Sequence, residues 1–250
     1  MNTIIKSKKT YFILGILFIF LLWIIGSAFV KNDYVLPSVK LTSNALINLL
    51  SQVKTYKILG LSLLRLMLCV LISLILALLC ALLAIRFDKV EAFLKPQIGL
   101  IKTLPVAVLI ILLLVLFSSK IAVYVITCFV MFPLIYEGIL LGFKSIDKEI
   151  LEDIRTVSKF NYMVAKKIYI PLSFPFILTA LIQSFGLGLK VSVMAEFLAQ
   201  PNNSIGQELM FYKNYTYEME YVLAWSIILV VIVLVIEIFI KLINDKLLEA

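Results

Sequence analysis

The sequence predicts an all-helical, polytopic membrane protein with six transmembrane spans. Hydrophobic residues fill 63% of the 250 positions and charged residues only 15%, with a mean hydropathy of +1.10. A soluble domain of this length cannot bury so much apolar surface. Six charge-free runs of 16 to 22 residues punctuate the chain, the pattern left by helices that cross a bilayer. Histidine is absent, which removes the commonest general base and metal ligand. Cys69, Cys80 and Cys128 lie inside apolar runs without CxxC spacing, so neither a disulfide framework nor a metal site is expected. No catalytic residues and no cofactor are predicted.

The charge gaps place the spans in order. The gap from Lys9 to Lys31 gives span one, about 11–30. A basic start followed by an apolar run also opens a signal peptide. Here the apolar stretch is longer than the usual ~7–15-residue core of such a leader, and a retained anchor is expected. The following segment to residue 57 reads as external and interfacial, with a short helix around 41–53 that sets Leu41, Ala45, Leu49 and Leu50 on one face. Span two is expected at 65–86, with Ser73, Ala77 and Ala81 as a small-residue stripe. Spans three and four follow at 100–118 and 121–142, span five at 172–195 and span six at 221–242. The organisation predicted is an anchor and external segment over 1–57, a transmembrane domain over 58–243 and a tail over 244–250.

With the N-terminus inside, the loops assigned to the cytoplasm carry fourteen Lys and Arg and those outside carry six. The basic excess places both termini in the cytoplasm of a cell-membrane protein. The net charge of +8 then reflects basic loops facing anionic lipid headgroups. No aromatic-plus-basic motif points to nucleic acid.

The most informative segment is Ser145 to Pro175, between spans four and five. Asp147 is a helix N-cap candidate, with Glu149 in the first turn where the helix dipole favours an acid. Ile150, Ile154 and Val157 recur at i, i+4 and i+7 and share a face. A second helical stretch begins near Asn161, and Pro171 and Pro175 mark the start of span five. A short amphipathic helix joined by a bend to the next helix makes a rigid cytoplasmic knob.

This segment resembles the loop signature of ABC importer permeases. Glu152 stands at the signature glutamate, Ser158 at its glycine, and Ile168, Ile170 and Pro171 at its apolar-x-apolar-Pro end, nineteen positions after Glu152. Asp153 and Ile154 replace two alanines, and Ser158 replaces the glycine of the bend. Other segments resemble the nitrate/sulfonate/taurine-type permeases in the same order along the chain. They are Leu36-Pro37-Ser38, Ser62-Leu63-Leu64-Arg65, Lys102-Thr103-Leu104-Pro105, Phe132-Pro133 with Gly142 and Ser145-Ile146-Asp147, and Ala195-Glu196 followed by Ser204-Ile205-Gly206.

The resemblance implies a type I importer permease fold and a non-enzymatic transport subunit of the inner membrane. It implies a cytoplasmic ATPase dimer, an external solute-binding protein, a second permease copy and surrounding lipid as partners. The solute implied is a small anion (a sulfonate, nitrate or a taurine-like compound) or a vitamin precursor. The residues agree with that division of labour, because no GxxxxGK[ST] phosphate loop occurs in the chain. By the resemblance, Ile150, Glu152, Asp153, Ile154, Arg155, Val157, Ser158 and Pro171 form the ATPase-coupling segment.

Span five carries Ala180, Ser184, Gly188 and Ser192 at every fourth position, a small-xxx-small stripe. Such a stripe serves either close packing within the subunit or a surface facing the pathway or a second permease. Ser184, Gly188, Lys190, Ser192 and Glu196 are the translocation-pathway candidates. Charges inside a bilayer face the bundle interior or a cavity; of the others near spans, Lys102 and Glu237 lie close enough to an end to snorkel and read as structural, and Glu137, one turn before the loop, is placed to pair with a basic residue. The alternative to a permease is a membrane scaffold protein with no pathway, which would need no structured cytoplasmic loop.

Overall fold

The structure is a computed structural model that describes residues 2–157 and 160–248. Among the described residues all regular structure is helical: α1 Asn2–Val30, α2 Val39–Ser51, α3 Val53–Arg86, α4 Asp88–Thr103, α5 Val106–Leu116, α6 Ser119–Lys144 and α7 Lys148–Val157. Then come α8 Tyr162–Val164, a π-helical turn Ala165–Tyr169, α9 Ile170–Leu172, α10 Phe174–Ala199, α11 Ile205–Phe211, a second π-helical turn Tyr212–Thr216 and α12 Met219–Leu248. Among the described residues five helices are long and apolar enough to cross a membrane, or six spans if the bent pair α4 and α5 counts as one broken span. The chain divides into two compact units: residues up to Lys57 with Glu208–Val231, and Ile58–Gln207 with the residues from Ile232 on.

The larger unit is built on α6 and α10, whose small residues let the backbones approach closely. Gly138 lies where a Cβ would overlap that of Ala180. Gly142 faces Ser173 and Phe176, whose Cβ atoms would stand 2.8 and 2.9 Å from an added methyl. Farther along, the apolar core gathers Ile110 of α5, Ala122, Val123 and Ile126 of α6, and Val191, Ala195 and Ala199 of α10. In α3 the stripe Ser73, Ala77 and Ala81 is fully buried, and the Ser73 hydroxyl donates to the Cys128 carbonyl at 3.3 Å.

Two expectations need correction. Span three is not one helix over 100–118, because α4 and α5 meet at a bend of 104° around Leu104 and Pro105. The residue before a proline is pushed out of the helical region, and Leu104 adopts φ −67° and ψ 131°. With 11 residues, α5 is ~16 Å long, about half the hydrocarbon core. Two ion pairs instead tie α4 to α6: Glu91 with Lys144 at 2.5 Å and Lys102 with Glu137 at 2.6 Å. Span two also begins earlier than the charge gap implied, since α3 starts at Val53. Lys54 and Lys57 are exposed near its first turns and do not interrupt it.

In the smaller unit, α2 is capped by Ser38, whose hydroxyl accepts from the Leu41 N–H. This helix buries Thr42, Ala45 and Leu49, while Leu41 and Leu50 of the expected apolar face remain exposed. The Trp23 indole donates to the Pro37 carbonyl at 3.0 Å. Lys54 pairs with Glu208 at 2.8 Å, and Tyr212 stacks on Tyr221 with ring centroids 4.6 Å apart. Burial beside Glu208, Tyr221 and Glu218 pushes the Tyr212 phenol up to about 12.

Candidate functional site

Three constellations in the larger unit gather candidate side chains. The first is α7 and its base. The Asp147 carbonyl accepts from the Leu151 N–H at 3.1 Å, and the helix runs ten residues with Glu149 in its first turn. Glu149, Ile150 and Glu152 are exposed. Leu151 and Ile154 turn the other way and line a cleft of about 160 Å³ with Ile85, Arg86, Phe160, Val164 and Tyr169. The base of that cleft is aromatic and cationic. Tyr169 meets Phe143 edge-on at 5.5 Å and Phe160 at 5.4 Å, and the Arg86 guanidinium stands 6.0 Å over the Phe160 ring.

The chain then turns into α8, with the Asn161 side chain accepting from the Val164 N–H at 3.0 Å. Of the proposed coupling residues, Ile150 and Glu152 therefore point outward and Ile154 points toward the molecule's own helices. Pro171 is exposed in α9. Ser158 lies outside the described residues, and so do the side chains of Asp153, Arg155 and Val157.

The second constellation joins residues separated by more than 130 positions. Glu196 is fully buried and forms an ion pair with Arg65 of α3. Its other oxygen accepts from the Ser62 hydroxyl at 3.0 Å and from the Gly206 N–H at 3.2 Å. The Ser62 oxygen in turn accepts from the Ile205 N–H at 3.2 Å. Two orphan N–H groups at the start of α11 are thus satisfied by α3 and α10. Gly206 is required here, because a Cβ would collide with the backbone at Glu196 and Phe197. Gln200 caps α10 in the left-handed region at φ 49°, and Ser204 accepts from the Gln207 N–H at 3.2 Å. This knot ties the segment after α10 back onto two helices. Glu196 is thus held by partners within the chain's own packing.

Ser184, Gly188 and Ser192 are also buried within the chain's own packing. An added Cβ on Gly188 would meet the Met131 sulfur of α6 at 2.5 Å. The small stripe is the close-packing surface of α10, and Lys190 is the exposed member of the candidate set.

The third constellation was not assembled from sequence. Lys102 and Glu137 pair about half exposed, with Thr179, Gln183 and Lys190 exposed along α10. Their spacing of four and seven residues puts these three on one helical face, a signal that reading for small residues passed over. Among the described residues no group of three or more Cys, Asp or Glu is arranged to hold a metal ion.

A family model described as "Binding-protein-dependent transport system inner membrane component" matches residues 70–249. Among solved structures, an amino acid ABC transporter with histidines is 19% identical, with a TM-score of 0.63 over 74% of this chain and 90% of that one. The MetNI methionine ABC transporter in inward-facing conformations is 15% identical, with a TM-score of 0.58 over 78% of this chain and 92% of that one. No curated protein matches the sequence.

Proposed function

The chain belongs to the binding-protein-dependent transport system inner membrane components, and from that premise we propose that it forms the solute pathway of an ATP-driven importer and is driven through α7. It is an ABC importer permease subunit, a multi-pass membrane component rather than an enzyme. The family's work requires an ATPase and a solute-binding protein on other chains.

The observation that carries the coupling role is the seating of α7. A ten-residue helix holds Ile150 and Glu152 outward while Leu151 and Ile154 sit over the Phe143, Tyr169 and Phe160 cluster. A push on the exposed face is transmitted through this cluster to the end of α3, the end of α6 and the π-helical turn that holds Tyr169. The apolar anchor into the ATPase is Ile150, with Glu152 as its polar contact. Asp153, Arg155, Val157 and Ser158 belong to the same docking segment by their place in the loop signature.

The excess of basic loops supports cytoplasmic termini, which sets α7 on the ATPase side and the Glu196 knot toward the solute-binding protein. A homodimer supplies the second half of the pathway. The solute proposed is a small anion or taurine-like compound, or a vitamin precursor, which the nitrate/sulfonate/taurine resemblance supports; the solved structures of like fold are amino acid and methionine transporters. The scaffold alternative has no use for a helix seated in this way.

The test is a detergent pull-down of the tagged chain from its native membrane followed by mass spectrometry. A co-purifying ATPase with a phosphate loop supports the proposal. Its absence, with no binding by added candidate ATPases, overturns the proposal in favour of the scaffold.

A further inference from the structure

We propose that the Lys102–Glu137 pair, with the clefts on its two sides, holds the solute during passage, and that this solute is a small zwitterion. The inference rests on the importer reading and names its substrate class. Glu137 lines a cleft of about 570 Å³ with Gly138, Thr179, Ala180 and Gln183. Lys102 lines a second cleft of about 260 Å³ with Pro133 and Leu187, and Leu134 lines both. The two clefts adjoin, and the charged pair stands between them. The larger is within the size range of small-molecule sites.

The pair sits where solute must pass if α6 and α10 border the pathway. Glu137 is seven residues from the end of α6 at Lys144, or about 10 Å in from it. Lys102 is at the break between α4 and α5, and interrupted helices mark transport sites in membrane proteins. Gln183 and Lys190 are further exposed polar side chains along α10. The Thr179 hydroxyl is already donated to the Pro175 carbonyl at 2.8 Å and offers a solute its lone pairs. The Gln183 amide both donates and accepts.

The solute class follows from the sign of the two charges. An anion that approaches Lys102 also meets the Glu137 carboxylate, and a cation that approaches Glu137 meets the Lys102 ammonium. Either one encounters a like charge within the same contact distance. A molecule with both signs exchanges one ion pair for two: its carboxylate or sulfonate takes the Lys102 Nζ and its ammonium takes the Glu137 carboxylate. The exchange leaves no charge uncompensated. Lys102 and Glu137 sum to zero, and the solute does too.

The experiment uses the full chain in lipid nanodiscs, with Cys69, Cys80 and Cys128 replaced by serine and a reporter thiol introduced as Leu141→Cys, an exposed apolar lining residue of the larger cleft. A charged methanethiosulfonate that cannot enter hydrocarbon is the probe. We expect the thiol to react, and the common amino acids pooled with taurine to slow it about tenfold near ten times their apparent Kd. Pooled nitrate, sulfate and acetate should not slow it. Adding Glu137→Gln should abolish the protection, and the exchanged pair K102E/E137K should restore it. A monodisperse protein whose thiol does not react overturns the site. Equal protection by the anion pool, or none by the zwitterion pool, overturns the substrate class. Co-purification of the ATPase with the same Leu141→Cys protein is scored separately, so failure of the importer reading is distinguished from failure of the class.

Discussion

Replacing Glu196 with alanine tests the knot that joins α3, α10 and α11. The carboxylate is fully buried, paired with Arg65 and bonded to the Ser62 hydroxyl and the Gly206 N–H. Removing it leaves the Arg65 guanidinium, only 11% exposed, without its counter-ion. Breaking one side of a buried pair costs about 3–5 kcal/mol. At about 2–4 °C per kcal/mol for a chain of this size, the midpoint of thermal unfolding should fall by about 6–20 °C. The assay is circular dichroism of the detergent-solubilised protein. Arg65→Met combined with Glu196→Met removes both charges and keeps most of the volume. It should therefore be more stable than the sum of the single losses by about 2 kcal/mol, within the range of coupled neighbours. An alanine variant that melts within about 2 °C of the parent, less than the shift for 1 kcal/mol, would refute the reasoning. So would strictly additive single losses.

Gly206→Ala should lower the same melting midpoint by an amount comparable to overpacking a core, about 1–3 kcal/mol, because the atoms a methyl would meet are backbone; an unchanged midpoint counts against the close approach. Glu152→Ala should weaken binding of the ATPase by about 5- to 30-fold, the reach of a 1–2 kcal/mol interface residue, while the melting midpoint stays put because Glu152 is exposed. Ile154→Asp should instead lower the midpoint, since it puts a charge into the cleft beneath α7; retention of full stability would place Ile154 on the outer face. The Tyr212 phenol, pushed up to about 12 from 10.0, holds its proton in the folded state while an unfolded chain releases it. Stability from this group is thus complete below pH 10 and is lost as pH rises toward 12. A tyrosinate absorbance titration should show a late-ionising phenol in the parent that disappears in Tyr212→Phe; identical curves would contradict the burial.

Much of the architecture was legible because charge is so sparse. Charge gaps located the long helices, and the alternation of Asp147, Glu149 and the isoleucines located α7. The same method missed the break at Leu104 and Pro105, since a gap between charges carries no information about direction. It also started α3 too late, because lysines near a helix end can reach water without ending the helix. In α2 the apolar face was drawn through Leu41 and Leu50, yet the structure buries Thr42 with Ala45 and Leu49. In a membrane protein an exposed leucine costs nothing, so apolarity alone does not mark the packed face.

The site divides in the same way. Ser62 and Arg65 stood out in one motif and Glu196 and Gly206 in another, but nothing in their spacing revealed that the two motifs meet. Lys102 and Glu137 were both noticed as charges within or near spans, and Glu137 was placed to need a basic partner. Which cation it takes depends on the bend of α4, a tertiary fact. The small stripe on α10 was legible as either a packing surface or a pathway-facing one, and the exposed polar residues beside it became visible only once burial separated Ser184 and Gly188 from Gln183 and Lys190.

The central claim is that this chain transmits ATP-driven motion to a solute through α7. The most direct measurement is uptake by proteoliposomes that hold the chain with its co-purified ATPase and solute-binding protein, with and without Glu152→Ala. ATP-dependent accumulation in the parent, and its loss in the variant at matched protein stability, is the predicted result. Accumulation that needs no ATPase, or a Glu152→Ala protein that transports at the parental rate with its ATPase fully bound, would contradict it.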